Sequence, residues 1–380
     1  MFYYIYQLFH YKVSYLRLFR YITVRSVFGA ITAFLISILL GPYVIRKLKE
    51  LKVGQTIRDE GPDTHKGKSG TPTMGGILIL MGIIIPTILW SNLNNSLVWL
   101  LLFTTIWLGT VGFIDDYLKL TRKNSDGLAG RYKLIGQITI GLFIGIYLYF
   151  NHPPMGELWK YKFEDSNYVN YINGHYTTKI SIPFLKNTLF DLGWFYIPFV
   201  ILIIVSSSNA VNLTDGLDGL AIGAIIFCML SYTIITYVVG NWKISQYLNL
   251  IYVEGSGELT VYCASLIGAA LGFLWFNSYP AQMFMGDTGS LSLGGVIGLV
   301  AIITKKELLL LIVGGVFVIE ALSVIIQVVF YKWKKKRIFL MAPLHHHFEL
   351  KGLAEPKIII RFWILSIIFT LLSLVTLKIQ

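Results

Sequence analysis

The chain of 380 residues is 55% hydrophobic and only 14% charged, with a mean hydropathy of +0.65 and a net charge of +12. Soluble domains carry about 25% charged residues, so this composition excludes an ordinary soluble globule and fits a single integral domain that crosses a bilayer many times. The 32 Lys and Arg residues suit an anionic leaflet or anionic substrates, and no nucleic acid partner is expected.

Residues 1–20 mix aromatic side chains with Lys12, Arg17 and Arg20, the pattern of an interfacial helix rather than a cleaved signal. A hydrocarbon core of roughly 30 Å takes about 20 apolar residues per helix. Apolar runs near 24–45, 74–92, 97–114, 134–150, 193–210, 217–239, 259–277, 289–304, 307–331 and 358–377 predict ten spans and an all-α polytopic membrane fold. The run 289–304 is short and glycine-rich, the least span-like of the ten. Cys228 and Cys263 lie inside apolar runs, where they read as small buried side chains with no disulfide or metal role.

Ten spans place both termini on one side and the loops 46–73, 115–133, 211–216, 278–288 and 332–357 on the other. Those loops hold 19 of the Lys and Arg residues against 12 on the opposite face, which puts them in the cytoplasm. The opposite face carries one insert, 151–191, where Asn173-Gly174 between alternating segments predicts a small extracytoplasmic β-hairpin.

The chemistry-bearing residues all fall in the cytoplasmic loops. GPDTHKGKSGTPTMGG, 61–76, combines five glycines with His65, Lys66 and Lys68. Glycines allow close backbone approach to phosphate oxygens, although a basic loop on lipid headgroups would look the same. In GFIDDY, 112–117, Asp115 and Asp116 close an apolar run, with Lys119 and Lys133 following. Adjacent carboxylates repel unless a cation or a shared proton relieves them. A hard cation such as magnesium does so; so would nearby basic side chains.

The third loop, SSSNAVNLTDGLDGLA, 206–221, interrupts two helices with Asn209, Asn212, Asp215 and Asp218. The three-residue spacing of Asp215 and Asp218 predicts one helical face near a helix N-terminus. A cap explains one Asp there; two Asp, two Asn and a serine run favour a functional reading over a cap. Asp287 stands in a glycine turn just before a helix, as an N-cap or a metal ligand. The last loop carries KWKKKR, 332–337, suited to anionic headgroups, and the consecutive His345, His346 and His347. Consecutive histidines do not match helix-borne zinc spacing; phosphate binding fits them better.

Five acids, glycine turns, basic residues and histidines on one membrane face suit phosphoryl transfer between a soluble nucleotide and a membrane lipid. GPDTHKGKSGTPTMGG, GFIDDY, VNLTDGLDGLA, FMGDTGSLSLGG and PLHHHFE together resemble the bacterial phospho-N-acetylmuramoyl-pentapeptide transferases over nearly the whole chain. The insert 151–191 is longer than is usual in that family. The resemblance implies attack of undecaprenyl phosphate on the β-phosphorus of UDP-MurNAc-pentapeptide, giving UMP and lipid I, with Mg2+ as cofactor, in the bacterial cytoplasmic (inner) membrane. It implies Asp287 as metal ligand and Asp115 as base or lipid-phosphate partner, with Asp116 beside it. It further implies Asn212, Asp215 and Asp218 along the nucleotide, Lys68, Lys119 and Lys133 on phosphate or uridine, and His345 at the diphosphate flanked by His346 and His347.

A sister transferase using UDP-GlcNAc is the alternative within the chemistry. Outside it stand a transporter, an intramembrane aspartyl protease and a lipid-binding scaffold. Transporter acids lie near the bilayer midplane, whereas here only Glu320 and Gln327 fall well inside a span. Whether the protein forms a homodimer is left open by the sequence.

Overall fold

The computed structural model describes residues 1–51, 70–122, 127–151, 178–184 and 189–379. The chain forms a helical bundle. The interfacial segment becomes α1 (Phe2–Phe9) and a 3-10 turn (Ser14–Arg20). Next come α2 (Ile22–Glu50), α3 (Gly76–Trp90), α4 (Ser96–Arg122) and α5 (Gly130–Phe150). An antiparallel pair, β1 (Lys179–Ser181) and β2 (Leu189–Asp191), aligns Ile180 with Phe190. Then follow α6 (Tyr196–Thr214), α7 (Leu220–Val239), α8 (Trp242–Tyr247), α9 (Leu259–Asn277) and α10 (Gly286–Ile303). The chain ends with α11 (Leu310–Val313), α12 (Gly315–Lys334), α13 (Leu344–Leu350) and α14 (Glu355–Ile379).

Among the described residues nine helices are long and apolar enough to cross a membrane, and α3, at 15 residues, is shorter. The count of ten therefore turns on α3. The segment that looked least like a span, 289–304, belongs to α10, where every residue from Asp287 to Ile303 is buried. Its small residues explain both observations. Gly294 and Gly298 face Ser207 on α6, Gly295 faces Leu108 on α4, and Gly112 of α4 lies against the Asp287 backbone. Small side chains let membrane helices approach closely, so a weak hydropathy signal marks the helix at the centre of the bundle.

Polar side chains join these close-packed helices. Ser208 Oγ donates to Leu291 O at 2.9 Å and accepts from Gln137 Nε2 at 3.0 Å; Asn209 Nδ2 donates to Gln137 Oε1 at 2.8 Å. Part of the serine–asparagine run therefore fastens α6 to α5 and α10 rather than lining a site. The predicted hairpin turn at Asn173-Gly174 lies outside the described residues; the pair that is described, β1–β2, is anchored by Ser181 Oγ donating to Lys305 O at 2.8 Å.

Candidate active site

Asp115 and Asp116 do not end their helix. α4 continues to Arg122, so both carboxylates sit inside the bundle and point at the start of α10. Asp116 caps that start from another helix. Its Oδ1 accepts from Asp287 N at 3.1 Å, and its Oδ2 accepts from Thr288 N at 3.0 Å and Thr288 Oγ1 at 2.7 Å. The first N–H groups of a helix lack partners within it and carry its positive dipole end, and Asp116 satisfies two of them. Gly286 has φ +72, and a Cβ there would stand 2.6 Å from Asp116 Oδ2, so a side chain would strain the turn and crowd the cap.

With its backbone held, Asp287 turns its carboxylate toward Asp115. Oxygens of Asp115, Asp116 and Asp287 lie within 4.8 Å of one another. Two unit charges that close repel by about 4 kcal/mol at an effective dielectric of about 20, so the trio requires cations. Lys133 Nζ bridges Asp115 Oδ1 at 2.9 Å and Asp287 Oδ2 at 2.6 Å. Lys119 Nζ pairs with Asp115 Oδ2 and lies 3.4 Å from Asp287 Oδ1. Leu128 N donates to Asp115 Oδ1 at 2.7 Å, which ties the residues just before α5 to the cluster. Asn212 Nδ2 donates to Asp287 Oδ1 at 2.9 Å and to Ser290 Oγ at 2.8 Å. Three converging carboxylates form the hard oxygen set that a divalent cation takes, and both lysines keep side-chain access to solvent.

Asp215 and Asp218 do not share a helical face. α6 stops at Thr214 and α7 starts at Leu220, with Gly219 at φ +78, so both acids belong to an irregular turn. The turn forms because neighbours hold its backbone: Gly219 N donates to Asn277 Oδ1 at 3.0 Å and Asp218 N to Glu355 Oε1 at 3.0 Å. Asp218 is buried and accepts from Ala281 N at 2.9 Å, tying the turn to the loop before α10. Burial, then the charges of Asp287, Asp116 and Asp218, push the Asp215 carboxyl up to about 8. That turn therefore faces the acid cluster.

Residues 61–69, with Lys68, lie outside the described residues, but the end of that motif is placed. Phe284 N donates to Pro72 O, Gly75 N to Phe284 O and Gly76 N to Met285 O, each at 2.8 Å, so the motif runs alongside the entry to α10. The three histidines diverge. His345 is fully buried, with Nδ1 3.3 Å from Glu320 Oε2 and Nε2 against Gly216. His346 Nδ1 lies 2.7 Å from Glu349 Oε2. His347 accepts from Leu340 N at 3.1 Å; burial and nearby Lys351 hold it below the usual histidine range, which suits an acceptor.

Asp115, Asp116, Asp287, Lys119, Lys133 and Asn212 thus form one centre, with the Asp215 turn and His345 at its edge. Sequence reasoning missed Thr288, Ser290 and Glu355, ordinary polar residues whose spacing carries no signal, and assigned no role to Glu320, whose position inside an apolar run was one.

A family model described as glycosyl transferase family 4 matches residues 98–305, and a phospho-N-acetylmuramoyl-pentapeptide-transferase signature matches residues 68–80. The chain is 52% identical over 372 residues to the phospho-N-acetylmuramoyl-pentapeptide-transferase of Syntrophus aciditrophicus, covering 98% of each chain. It is 50% identical to the same-named protein of Desulfotalea psychrophila over the whole of both chains, and 51% identical to that of Geobacter sp. strain M21, covering 95% of each. With family signature and full-length relatives in agreement, the chain belongs to the phospho-N-acetylmuramoyl-pentapeptide-transferase family.

Proposed function

We propose that this chain transfers phospho-MurNAc-pentapeptide from UDP-MurNAc-pentapeptide to undecaprenyl phosphate, releasing UMP and forming lipid I. The observation that carries the chemistry is the convergence of Asp115, Asp116 and Asp287 within 4.8 Å, braced by two lysines, at one end of a membrane bundle. In the reaction an oxygen of the lipid phosphate bonds to the β-phosphorus of the donor. The bond from that phosphorus to the bridging oxygen breaks, and UMP leaves with the oxygen. A phosphate monoester has a second pKa of about 6, so the attacking lipid phosphate is largely ionised at neutral pH and needs little help from a base.

This favours direct attack over an Asp-phosphoryl intermediate, and it favours Asp115 as the residue that positions Lys119 and Lys133. Those ammonium groups are placed to hold non-bridging phosphate oxygens. Asp287 and Asp115, with Asp116 behind them, would hold Mg2+, which neutralises charge on the donor diphosphate when bound. Asn212 orients Asp287. Asp215 and Asp218 bound the nucleotide side, and the family resemblance assigns Lys68 of the first loop to phosphate or uridine. The excess of 19 basic residues over 12 supports a cytoplasmic site in the bacterial inner membrane.

The test supplies purified protein with polyprenyl phosphate and Mg2+, with either UDP-MurNAc-pentapeptide or UDP-GlcNAc, and measures UMP. Metal-dependent UMP from the first donor is the expected result. Release from UDP-GlcNAc alone would move the chain to a sister specificity, and release from neither would remove the reading. A phospho-aspartate formed with UMP release in the absence of lipid would overturn direct attack.

A further inference from the structure

Glu320 is the one carboxylate in α12, and it is wholly buried. Neither of its oxygens has a hydrogen-bond partner. A buried carboxylate left unpaired in its charged form costs several kcal/mol, by a rough general measure, so a basic group beside it is a significant neighbour. Among the described residues the one basic group within ion-pair distance is His345, at 3.3 Å from Nδ1 to Oε2. That histidine is itself 0% exposed, and neither Nδ1 nor Nε2 makes a hydrogen bond, so the 3.3 Å approach to Glu320 is the ring's one polar contact among the described residues. Nε2 occupies the space that a side chain at position 216 would fill, so it presses on the turn that carries Asp215. The imidazole is thus aligned between a carboxylate inside the bundle and the edge of the acid cluster. His346 and His347 are turned to Glu349 and Leu340 and do not share the arrangement.

We propose that Glu320 is a positioning residue for His345: it takes the Nδ1 hydrogen, keeps the ring charged, and so presents an Nε2–H donor to the donor diphosphate beside the Asp215–Gly216 turn. The proposal rests on the transferase reading above. A carboxylate behind an imidazole fixes both which nitrogen faces outward and whether it carries a hydrogen. Without Glu320 nothing at Nδ1 fixes which ring nitrogen turns a hydrogen toward the phosphate. Gly216 is the matching requirement on the other side of the ring, because a Cβ there leaves no room for Nε2.

The test uses the full-length protein in detergent, labelled with 15N-histidine. The His345 resonances are assigned by difference from His345→Gln, and UMP release is measured in parallel. Wild type shows both ring nitrogens of His345 protonated. Glu320→Gln gives a neutral ring and lowers kcat by about 10- to 100-fold, with KM for the UDP donor within about threefold and an unchanged melting temperature. The double variant Glu320→Gln, His345→Gln is then no slower than His345→Gln alone. Gly216→Ala, which leaves Glu320 in place, gives a similar kcat loss. Should Glu320→Gln not fold, Glu320→Asp serves, keeping the charged ring at reduced kcat. A neutral His345 in wild type overturns the proposal. So do losses that multiply in the double variant, or a Glu320→Gln protein that loses stability and donor binding together. The nitrogen signals are read without turnover, so absence of UMP from wild type would sink the transferase reading and leave the state of His345 to be judged separately.

Discussion

The two ends of α10 each meet a buried group of charges, and only one end is built for chemistry. At the Gly286 end three carboxylates converge around two lysines with partial solvent access. Beyond the Ile303 end, Lys305, Lys306 and Glu307 are each under 5% exposed. Lys305 Nζ donates to Tyr196 Oη at 2.9 Å, stands 4.4 Å above its ring and lies 3.6 Å from Glu307 Oε1, and the β1 strand covers its carbonyl. Burial lowers both lysines, Lys306 to about 8, and raises Glu307. Buried charge is common to both ends. What separates them is like charges held close together, glycine backbone alongside, and a way in for solvent. The second group has one acid facing two cations and is closed by aromatic rings, the profile of a structural plug.

The sharpest test of that contrast exchanges the acids. Asp287→Asn is expected to cut UMP release by about 10³-fold or more, whereas Glu307→Gln should leave kcat within about threefold of wild type; equal losses would erase the distinction. Chelation should act the same way. Removing divalent cations should abolish turnover, with Mg2+ restoring it, while the melting temperature of Lys306→Met should respond no differently to chelator than wild type does.

The next effect is on stability. Lys306 holds fewer protons in the folded protein than unfolded between about pH 8 and the ordinary lysine value of 10.5. Stability therefore rises with pH across that window, and the penalty is complete below it. Lys306→Met should stabilise the protein at pH 7 by roughly 3 kcal/mol at most and flatten the melting profile between pH 8 and 10. An unchanged profile would show that the plug is not strained by its charges. Smallest is the cap. Asp116→Ala removes the partner of two α10 N–H groups and should cost about 1–2 kcal/mol of stability, whereas Asp116→Asn, which keeps an acceptor, should lose less; calorimetry or thermal scans in detergent read the difference.

Hydropathy made the bundle legible, because a segment facing lipid must be apolar along its length. It was least informative at α10, where contact with other helices replaces contact with lipid and glycine and serine replace leucine. The acids were legible as a set because loops on one face of a membrane bundle have little space to diverge. Their individual roles were not. Nothing near Asp116 in the sequence shows that it caps a helix beginning at Gly286, and the spacing of Asp215 and Asp218 suggested a helix where Asn277 and Glu355 instead hold a turn. Tertiary hydrogen bonds from distant residues overrode local periodicity there. The histidine triplet shows the same limit: three identical neighbours point to three different partners, which only the fold around α12 and α13 decides.

The reach of Asp116 across 171 residues to the backbone of Asp287 has a consequence for biosynthesis. During translation the paired acids of α4 enter the bilayer long before α10 has been made, and until then no helix start exists for Asp116 to hold. The centre is assembled only when the later hairpins are inserted and dock. A nascent or truncated chain that ends before α10 therefore lacks Asp287 and with it the three-carboxylate cluster.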